Sequence, residues 1–220
     1  MSLIKALNGL VFPTRNLCYL CGERAYNLRD HICRDCYNFL DIVHREVDLN
    51  SPYIHRAYYT LVYNRYMREV IADYKFNGKS YLYKPLALLM LKTIEEKALI
   101  DEIDIIMYIP AHRRKEAKRG YNQAELLASY IGKLLDKEVS HSLIKTRYTR
   151  DQGKLSRLER MNNLKDSFKI RAREEIRGKT ILLVDDIITT GTTIEEVGKI
   201  LIKNQARKVY GLALTSSKSL

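Results

Sequence analysis

The sequence predicts an α/β fold in which a parallel sheet is flanked by helices, preceded by a small cysteine-rich segment. Residues 103–109 and 181–184 are short apolar runs of the kind that form buried parallel strands. Each run is followed by polar residues and then by a segment with helical apolar periodicity. All four cysteines lie before residue 37, which sets the N-terminal segment apart.

The length of 220 residues suits one large domain or one domain with a small appendage. We expect a helix and a four-cysteine domain in residues 1–50 and the α/β domain in residues 51–220. The net charge of +12 predicts polyanionic ligands such as phosphates or nucleic acid, or an acidic partner. A basic composition that serves solubility would explain the charge as well. Neither a signal peptide nor a membrane-spanning apolar run is evident, so we expect a soluble, intracellular protein.

The four cysteines form two Cys-x-x-Cys pairs about a dozen residues apart. This spacing is typical of a structural zinc site with four thiolate ligands, because each pair supplies two sulfurs from one tight turn. Disulfides are disfavoured in an intracellular chain, and neither pair opens the helix of a βαβ unit as a redox pair would. His31 remains an alternative to one of the sulfurs. The predicted ligands of this knuckle are Cys18, Cys21, Cys33 and Cys36.

The elements before the first buried strand follow from periodicity and from turn residues. We expect a helix over residues 1–12, a linker over 41–52, a strand over 55–63 and helices over 64–76 and 84–97. Between residues 53 and 83, tyrosines are interleaved with arginines and lysines. Single-stranded nucleic acid is held by such side chains through stacking and phosphate contacts. Tyrosine at strand or helix spacing is equally typical of a core, so both interpretations stay open.

A cationic loop is predicted after the first buried strand. Five cations and one glutamate lie between Arg113 and Arg119, and Asn122 is placed to cap the next helix. Cations at the carboxyl end of a strand would neutralise a pyrophosphate, although an exposed basic loop is the plainer alternative. The expected pyrophosphate-loop residues are His112, Arg113, Arg114 and Arg119.

The region from Arg147 to Asn163 is polar, charged and only weakly periodic. A long loop in a compact domain is usually functional or disordered. Its cations would allow it to close over a bound polyphosphate as a lid and exclude water. Strands are expected on either side, over residues 139–145 and 167–170, and a last strand over 208–214. The expected lid residues are Arg150, Gln152, Arg157 and Arg160.

The second buried strand ends in two acids and a turn rich in hydroxyl groups, and a helix follows. A helix N terminus offers backbone N–H groups to an anion, and Gly191 lets the turn approach a phosphate closely. The acids would repel a phosphate but suit the hydroxyls of a sugar attached to it. The pattern therefore predicts a site for ribose 5-phosphate, formed by Asp185, Asp186, Thr189, Thr190, Gly191, Thr192 and Thr193.

The run from Leu183 to Thr193 resembles the phosphoribosyl-pyrophosphate (PRPP) motif of type I phosphoribosyltransferases. The cysteine pairs, the run Arg119-Gly-Tyr-Asn-Gln-Ala-Glu-Leu-Leu-Ala128 and the segment from Thr149 to Phe168 follow in the order found in the ComF family. The resemblance implies a type I phosphoribosyltransferase-like sheet, a structural Zn²⁺, and PRPP bound with Mg²⁺. One departure is Tyr108, where the family usually has a second proline.

The resemblance also implies a bacterial cytoplasmic protein of natural transformation, recruited to the membrane uptake machinery. It would act in the uptake or processing of incoming single-stranded DNA, with a ComFA-like helicase as partner. The alternative is an active phosphoribosyltransferase, with Asp185 and Asp186 as catalytic residues, that moves ribose 5-phosphate from PRPP to an acceptor and releases pyrophosphate. The sequence names no acceptor, and His112 and His141 are candidate bases only by residue type.

Overall fold

A computed structural model of the protein describes residues 16–149, 159 and 163–218. The expected helix over residues 1–12 lies outside this part of the chain, as do the expected lid residues Arg150, Gln152, Arg157 and Arg160. Among the helices that are described, none has the length and apolar content needed to span a bilayer.

The described chain folds around a five-stranded sheet. Its strands are β1 (Ile42–Glu46), β2 (Arg56–Val62), β3 (Ile105–Tyr108), β6 (Thr180–Ile188) and β7 (Lys208–Ser216). They lie in the order β1-β2-β7-β6-β3, and all neighbours are parallel except β1 and β2. A separate two-stranded antiparallel sheet contains β4 (Leu143–Lys145) and β5 (Phe168–Ile170). The predicted fold class, a parallel sheet flanked by helices, is confirmed.

Helices cover both faces of the main sheet. They are α1 (Arg34–Asn38), α2 (Arg65–Phe76), α3 (Tyr83–Glu96), α4 (Arg113–Arg119), α5 (Gln123–Leu135) and α6 (Thr192–Lys203). The buried faces of α2, α3 and α5 pack together on one side of the sheet. The buried face of α6 packs on the other side, together with the small sheet of β4 and β5. Because both faces are covered, β3 and β6 are apolar along almost their whole length, as buried parallel strands are.

Three predicted elements were wrong. Within the expected linker, Ile42–Glu46 forms β1, since pairing with β2 gives this polar segment a sheet edge to join. Within the expected strand over residues 139–145, only Leu143–Lys145 is a strand, while Val139 makes an isolated parallel bridge to Ile106. The third error, the expected cationic loop, concerns the candidate site.

The expected cationic loop is a short helix, α4. The side chain of His112 caps it by accepting a hydrogen bond from the Arg114 N–H at 3.2 Å. It ends at Gly120, whose left-handed conformation (φ 86°) lets its N–H donate to the Glu116 carbonyl at 2.7 Å. Both caps, together with arginine, lysine, glutamate and alanine between them, favour a helix over a loop.

Candidate functional site

A cleft opens where β3 and β6 end side by side. The chain leaves β3 towards α5 on one face of the sheet and leaves β6 towards α6 on the opposite face. Open α/β sheets bind ligands at such a point, because the two outgoing connections diverge and leave a crevice. The cleft has a volume of about 910 Å³ and is lined by residues of both connections and of α2.

The turn between β6 and α6 forms the floor of one end of the cleft. Gly191 caps α6 in the left-handed conformation (φ 81°), a backbone state that glycine adopts without strain. The hydroxyls of Thr190 and Thr192 lie 2.7 Å apart and hydrogen-bond to each other. Thr189, Gly191, Thr192 and Thr193 line the cleft, whereas Thr190 is not part of its lining. The first-turn N–H groups of α6 have no partner within the helix, so this end suits an anion.

The two predicted acids lie at the end of β6, and α2 reaches one of them. The Lys75 Nζ, in the last turn of α2, lies 2.9 Å and 2.8 Å from the Oδ1 and Oδ2 atoms of Asp186. The side chains are 17% and 11% exposed, so this ion pair is screened little by solvent. The backbone N–H of Asp186 donates to the Asp185 Oδ1 at 2.8 Å. Successive strand side chains alternate, so Asp186 faces α2 and Asp185 faces the opposite side.

Burial in the cleft favours the protonated form of Asp185. Desolvation in the cleft, with a smaller contribution from the charge of Asp186, raises the pKa of Asp185 to about 8. The charges of Lys75 and Lys145 and the backbone hydrogen bond from Asp186 oppose this rise only partly. At neutral pH, Asp185 therefore holds a proton, while Asp186 is paired with an ammonium group. Adjacent carboxyl groups with separate roles are common where a site needs both a donor and an acceptor.

Only some of the basic residues in and next to α4 line the cleft. His112, Lys115 and Arg119 line it. The Arg119 Nη1 donates to the Gln123 Oε1 at 3.1 Å, and its guanidinium lies 4.9 Å from the centre of the Phe76 ring. Arg113 and Arg114 are exposed and are not part of the lining.

The start of α5 holds this corner of the cleft in place. Asn122 caps α5 by accepting from the Ala124 N–H at 3.1 Å, as predicted. Its amide also donates to the carbonyl of Ile109 at 3.1 Å. Because the Ile109 N–H in turn donates to the Val184 carbonyl at 2.9 Å, the cap ties the end of β3 to β6.

The structure thus brings together eight of the eleven residues predicted for the phosphoribosyl and pyrophosphate positions. Those in the cleft are Asp185, Asp186, Thr189, Gly191, Thr192, Thr193, His112 and Arg119. Sequence reasoning missed Lys75 and Lys145 as cleft residues, and it counted Lys115 among the cations of the expected loop without naming it as a site residue. For Lys75 the available signal was its place in the last turn before the Asn77-Gly78 helix stop, but nothing in the sequence says that this helix ends against Asp186.

The four cysteines form a cluster at the other end of α2. Their sulfur atoms all lie within 4.8 Å of one another, and the Sγ atoms of Cys21 and Cys33 are 3.9 Å apart. Four thiolates around Zn²⁺ at about 2.3 Å would lie about 3.8 Å apart, so the cluster fits a tetrahedral metal. The backbone N–H groups of Cys33 and Cys36 point at the sulfurs of Cys18 and Cys33, at 3.3 Å and 3.4 Å. These four residues can hold a metal ion.

The cysteine knuckle packs into the hydrophobic core on the side of the sheet that α2 covers. Cys18, Ile32, Cys33 and Cys36 belong to the same buried cluster as the apolar face of α2. The Tyr66 hydroxyl, in the first turn of α2, hydrogen-bonds to the Cys36 sulfur. One helix therefore touches the cysteine cluster near its N terminus and Asp186 near its C terminus.

Comparison with known proteins finds a matching domain and several similar proteins. Residues 117–218 match the family described as "Phosphoribosyl transferase domain". The chain is 28% identical over 222 residues to Competence protein ComFC of Bacillus subtilis, covering 94% of the chain and 87% of that protein. It is 30% identical over 151 residues to Competence protein F of Haemophilus influenzae, covering 66% of each. It is 31% identical over 144 residues to DNA utilization protein YhgH of Escherichia coli K12, covering 64% of the chain and 63% of that protein.

The matches to the H. influenzae and E. coli relatives thus span just under two thirds of those proteins. Among solved structures, the chain is similar to an allosteric regulatory enzyme of purine biosynthesis, with a TM-score of 0.39 at 22% identity over 57% of this chain and 24% of that one. It is also similar to adenine phosphoribosyltransferase from Saccharomyces cerevisiae, with a TM-score of 0.38 at 19% identity over 61% of this chain and 68% of that one.

The relatives and the domain match agree with the order of motifs along the chain and with the observed sheet. The chain is similar to Competence proteins F and ComFC, and its phosphoribosyltransferase-like domain follows a four-cysteine knuckle.

Proposed function

We propose that the cleft binds PRPP and that the protein uses this domain in natural transformation, in the uptake or processing of incoming single-stranded DNA. The observation that carries the proposal is the convergence of an acid pair, a hydroxyl-rich helix N terminus and several cations at the ends of β3 and β6. A sugar that carries a phosphate at one end and a pyrophosphate at the other matches this distribution of charge.

Each part of the cleft has a role in the proposal. The 5-phosphate would accept hydrogen bonds from the first turn of α6 and from the threonine hydroxyls. The ribose diol would lie on the acids, with the Asp186 carboxylate as acceptor and the protonated Asp185 as a further partner. The pyrophosphate would face His112, Lys115 and Arg119. Mg²⁺ bound with PRPP would neutralise part of the pyrophosphate charge.

Other residues enter the proposal without lining the cleft. Arg113 and Arg114 lie on the exposed side of α4, where they would meet a longer polyphosphate or a DNA backbone. We keep Arg150, Gln152, Arg157 and Arg160 as the proposed lid. We also propose that the metal of the knuckle is Zn²⁺, and that the boundary between the knuckle domain and the phosphoribosyltransferase-like domain lies near residue 50.

The role in transformation is supported by the names of the relatives and by charge. Two relatives are called competence proteins, and a third is called a DNA utilization protein. The net charge of +12 suits a polyanion such as single-stranded DNA. A ComFA-like helicase is the proposed protein partner, and the bacterial cytoplasm, next to the membrane uptake machinery, is the proposed location.

An active transferase is the second candidate. Beyond the acids, the cleft has a wall of apolar groups that includes Ile71, Phe76 and Pro110, which leaves room for an acceptor next to the sugar. In that reaction the bond from the anomeric carbon to the pyrophosphate oxygen would break, and a bond to the acceptor would form. Asp185 and Asp186 would act on the ribose hydroxyls beside the reacting carbon.

The first experiment is calorimetric titration of the full chain with PRPP, with and without Mg²⁺, and then with a short single-stranded oligonucleotide. We expect magnesium-dependent PRPP binding. We expect oligonucleotide binding that weakens steeply with salt, because each phosphate contact releases counterions. An absence of PRPP binding in the presence of Mg²⁺ would refute the assignment of the cleft.

Variants of the acids separate the two ligands. Asp185→Asn together with Asp186→Asn should abolish PRPP binding while the salt-dependent binding of DNA persists, if DNA binds elsewhere. Unchanged affinity for PRPP in this double variant would contradict the proposed ribose position. Equal loss of both ligands would show that DNA enters the same cleft.

A further inference from the structure

We infer that Lys75 is a positioning residue of the cleft, which holds the Asp186 carboxylate in the orientation that receives the ribose hydroxyls of a phosphoribosyl ligand. The inference deepens the proposed function and rests on it. Neither the motif at the end of β6 nor the cationic segment of α4 contains this lysine.

The contact itself is specific. The ammonium of Lys75 reaches both oxygens of Asp186, at 2.8 Å and 2.9 Å, and both side chains are largely buried where they line the cleft. Lys79 provides a contrast within the same stretch of chain. Its Nζ pairs with Asp73 at 2.8 Å, with both side chains about one third exposed, and neither residue lines the cleft.

The backbone that carries Lys75 is clamped by the start of α5. The Tyr74 hydroxyl donates to the Gln123 carbonyl at 2.8 Å, and the Gln123 amide donates to the Tyr74 carbonyl at 3.4 Å. The Tyr121 hydroxyl donates to the same Tyr74 carbonyl. The segment Arg119-Gly-Tyr-Asn-Gln therefore does more than cap α5, because two of its side chains fix the last turn of α2. The backbone next to Lys75 is consequently fixed, which restricts the positions that its ammonium group can reach.

The arrangement leaves Asp186 able to bind. The Lys75 ammonium contacts both oxygens of the carboxylate, which has about four lone-pair sites, so sites remain for hydroxyl groups. The charge of Lys75 also offsets part of the rise in the pKa of Asp185. Other charged groups around the pair are Lys145 of β4 and the cations of α4, and Tyr74 packs behind it.

The test compares ribose 5-phosphate with inorganic phosphate as probes of the full chain. In Lys75→Met, we expect affinity for ribose 5-phosphate to fall at least tenfold, since the acid that receives the diol is no longer held. Affinity for inorganic phosphate should change by less than threefold, because the turn that leads into α6 does not depend on Lys75. Lys79→Met is the matched control, with the same loss of charge, and should leave both affinities unchanged.

The outcomes separate this inference from the proposed function. If the wild-type chain binds neither PRPP nor ribose 5-phosphate, the proposed function fails. If the wild type binds ribose 5-phosphate and Lys75→Met does so within threefold, the positioning role is wrong. If the variant loses both probes equally, Lys75 acts only as a general cation, which also overturns the inference.

Lys75→Arg provides a second test of the positioning role. It keeps the positive charge beside Asp186, so we expect it to disturb the fold less than Lys75→Met does. It should recover part of the affinity for ribose 5-phosphate that Lys75→Met loses. Where Lys75→Met cannot be purified in folded form, Lys75→Arg must still weaken ribose 5-phosphate more than phosphate, since a planar guanidinium cannot reproduce the same grip on Asp186. Equal effects on the two probes would refute the positioning role.

Discussion

Leu49 packs directly against Gly191, the residue that caps α6 beside the cleft. A Cβ placed on Gly191 would lie 2.6 Å from the Leu49 Cδ2, closer than two carbon atoms can approach. The segment that follows β1 therefore supports the turn between β6 and α6 from behind. Two constraints, the positive φ and the contact with Leu49, act on the same residue.

Gly191→Ala should weaken phosphate binding and destabilise the fold by more than about 1–2 kcal/mol, which is the usual cost of a left-handed conformation for a residue with a Cβ. Gly178→Ala is the matched control. Gly178 has a similar φ of 70°, but a Cβ there would meet nothing within 4 Å. Denaturant unfolding and phosphate titration of both variants give the comparison. Equal destabilisation would show that the Leu49 contact is unimportant.

The cysteine cluster should bind one zinc per chain, measurable by elemental analysis of purified protein. Removal with a chelator should lower the unfolding temperature, because a structural site contributes its binding free energy to folding. For a chain of this size, a loss of about 3 kcal/mol corresponds to roughly 6–12 °C. Well under one zinc per chain, with the thiols oxidised, would contradict the zinc site.

Tyr66→Phe should weaken the grip of the knuckle on its metal. It removes the hydroxyl that hydrogen-bonds to the Cys36 sulfur, and outer partners of metal ligands typically contribute about 10–100-fold in affinity. Competition with a chromogenic chelator measures the change. Tyr26→Phe is the control in the same knuckle, because Tyr26 is almost fully exposed. An unchanged zinc affinity in Tyr66→Phe would argue that the contact serves packing alone.

The raised pKa of Asp185 predicts a pH dependence of stability. Unfolding returns this carboxyl to an ordinary pKa near 4, so between about pH 4 and pH 8 unfolding releases a proton. The contribution of Asp185 to stability therefore falls as pH rises to about 8 and levels off above it. Between pH 6 and pH 8 the loss is roughly 2 kcal/mol.

Asp185→Asn should remove this pH dependence. The free energy of unfolding of the variant, relative to that of the wild type, should therefore increase as pH rises from 6 to 8. Denaturant titration at both pH values measures the gain. Asp73→Asn should not change the slope in that range, because the hydrogen bond from Lys79 holds the pKa of Asp73 below its usual range. If the stability of Asp185→Asn depends on pH as strongly as that of the wild type, groups other than Asp185 cause the dependence.

The sheet and the acids with their turn could be predicted from the sequence because local patterns specify them. The apolar run before Asp185 and the helical periodicity after Thr193 each require only a few neighbouring residues. The strand over residues 55–63 and the helix over 64–76 were predicted to within a residue of β2 and α2 for the same reason.

The errors and omissions depend on contacts between distant residues. β1 is a strand because β2 lies beside it, and its polar sequence alone favoured a linker. Lys75 meets Asp186 across 111 positions of the chain, so no local pattern could pair them. For α4 the signal was present in Gly120 and in the helix-forming residues before it, but the density of positive charge was interpreted as a loop.

The helix α2 contacts the cysteine cluster at one end and the cleft at the other. Tyr66 and Lys75 lie nine residues apart, which is roughly 14 Å along a helix axis. Oxidants attack thiolates, and loss of the Cys36 thiolate would remove the support at one end of this helix. Oxidation of the cysteine cluster should thus weaken the hold of Lys75 on Asp186 at the far end of the same helix, and with it the binding of a sugar phosphate.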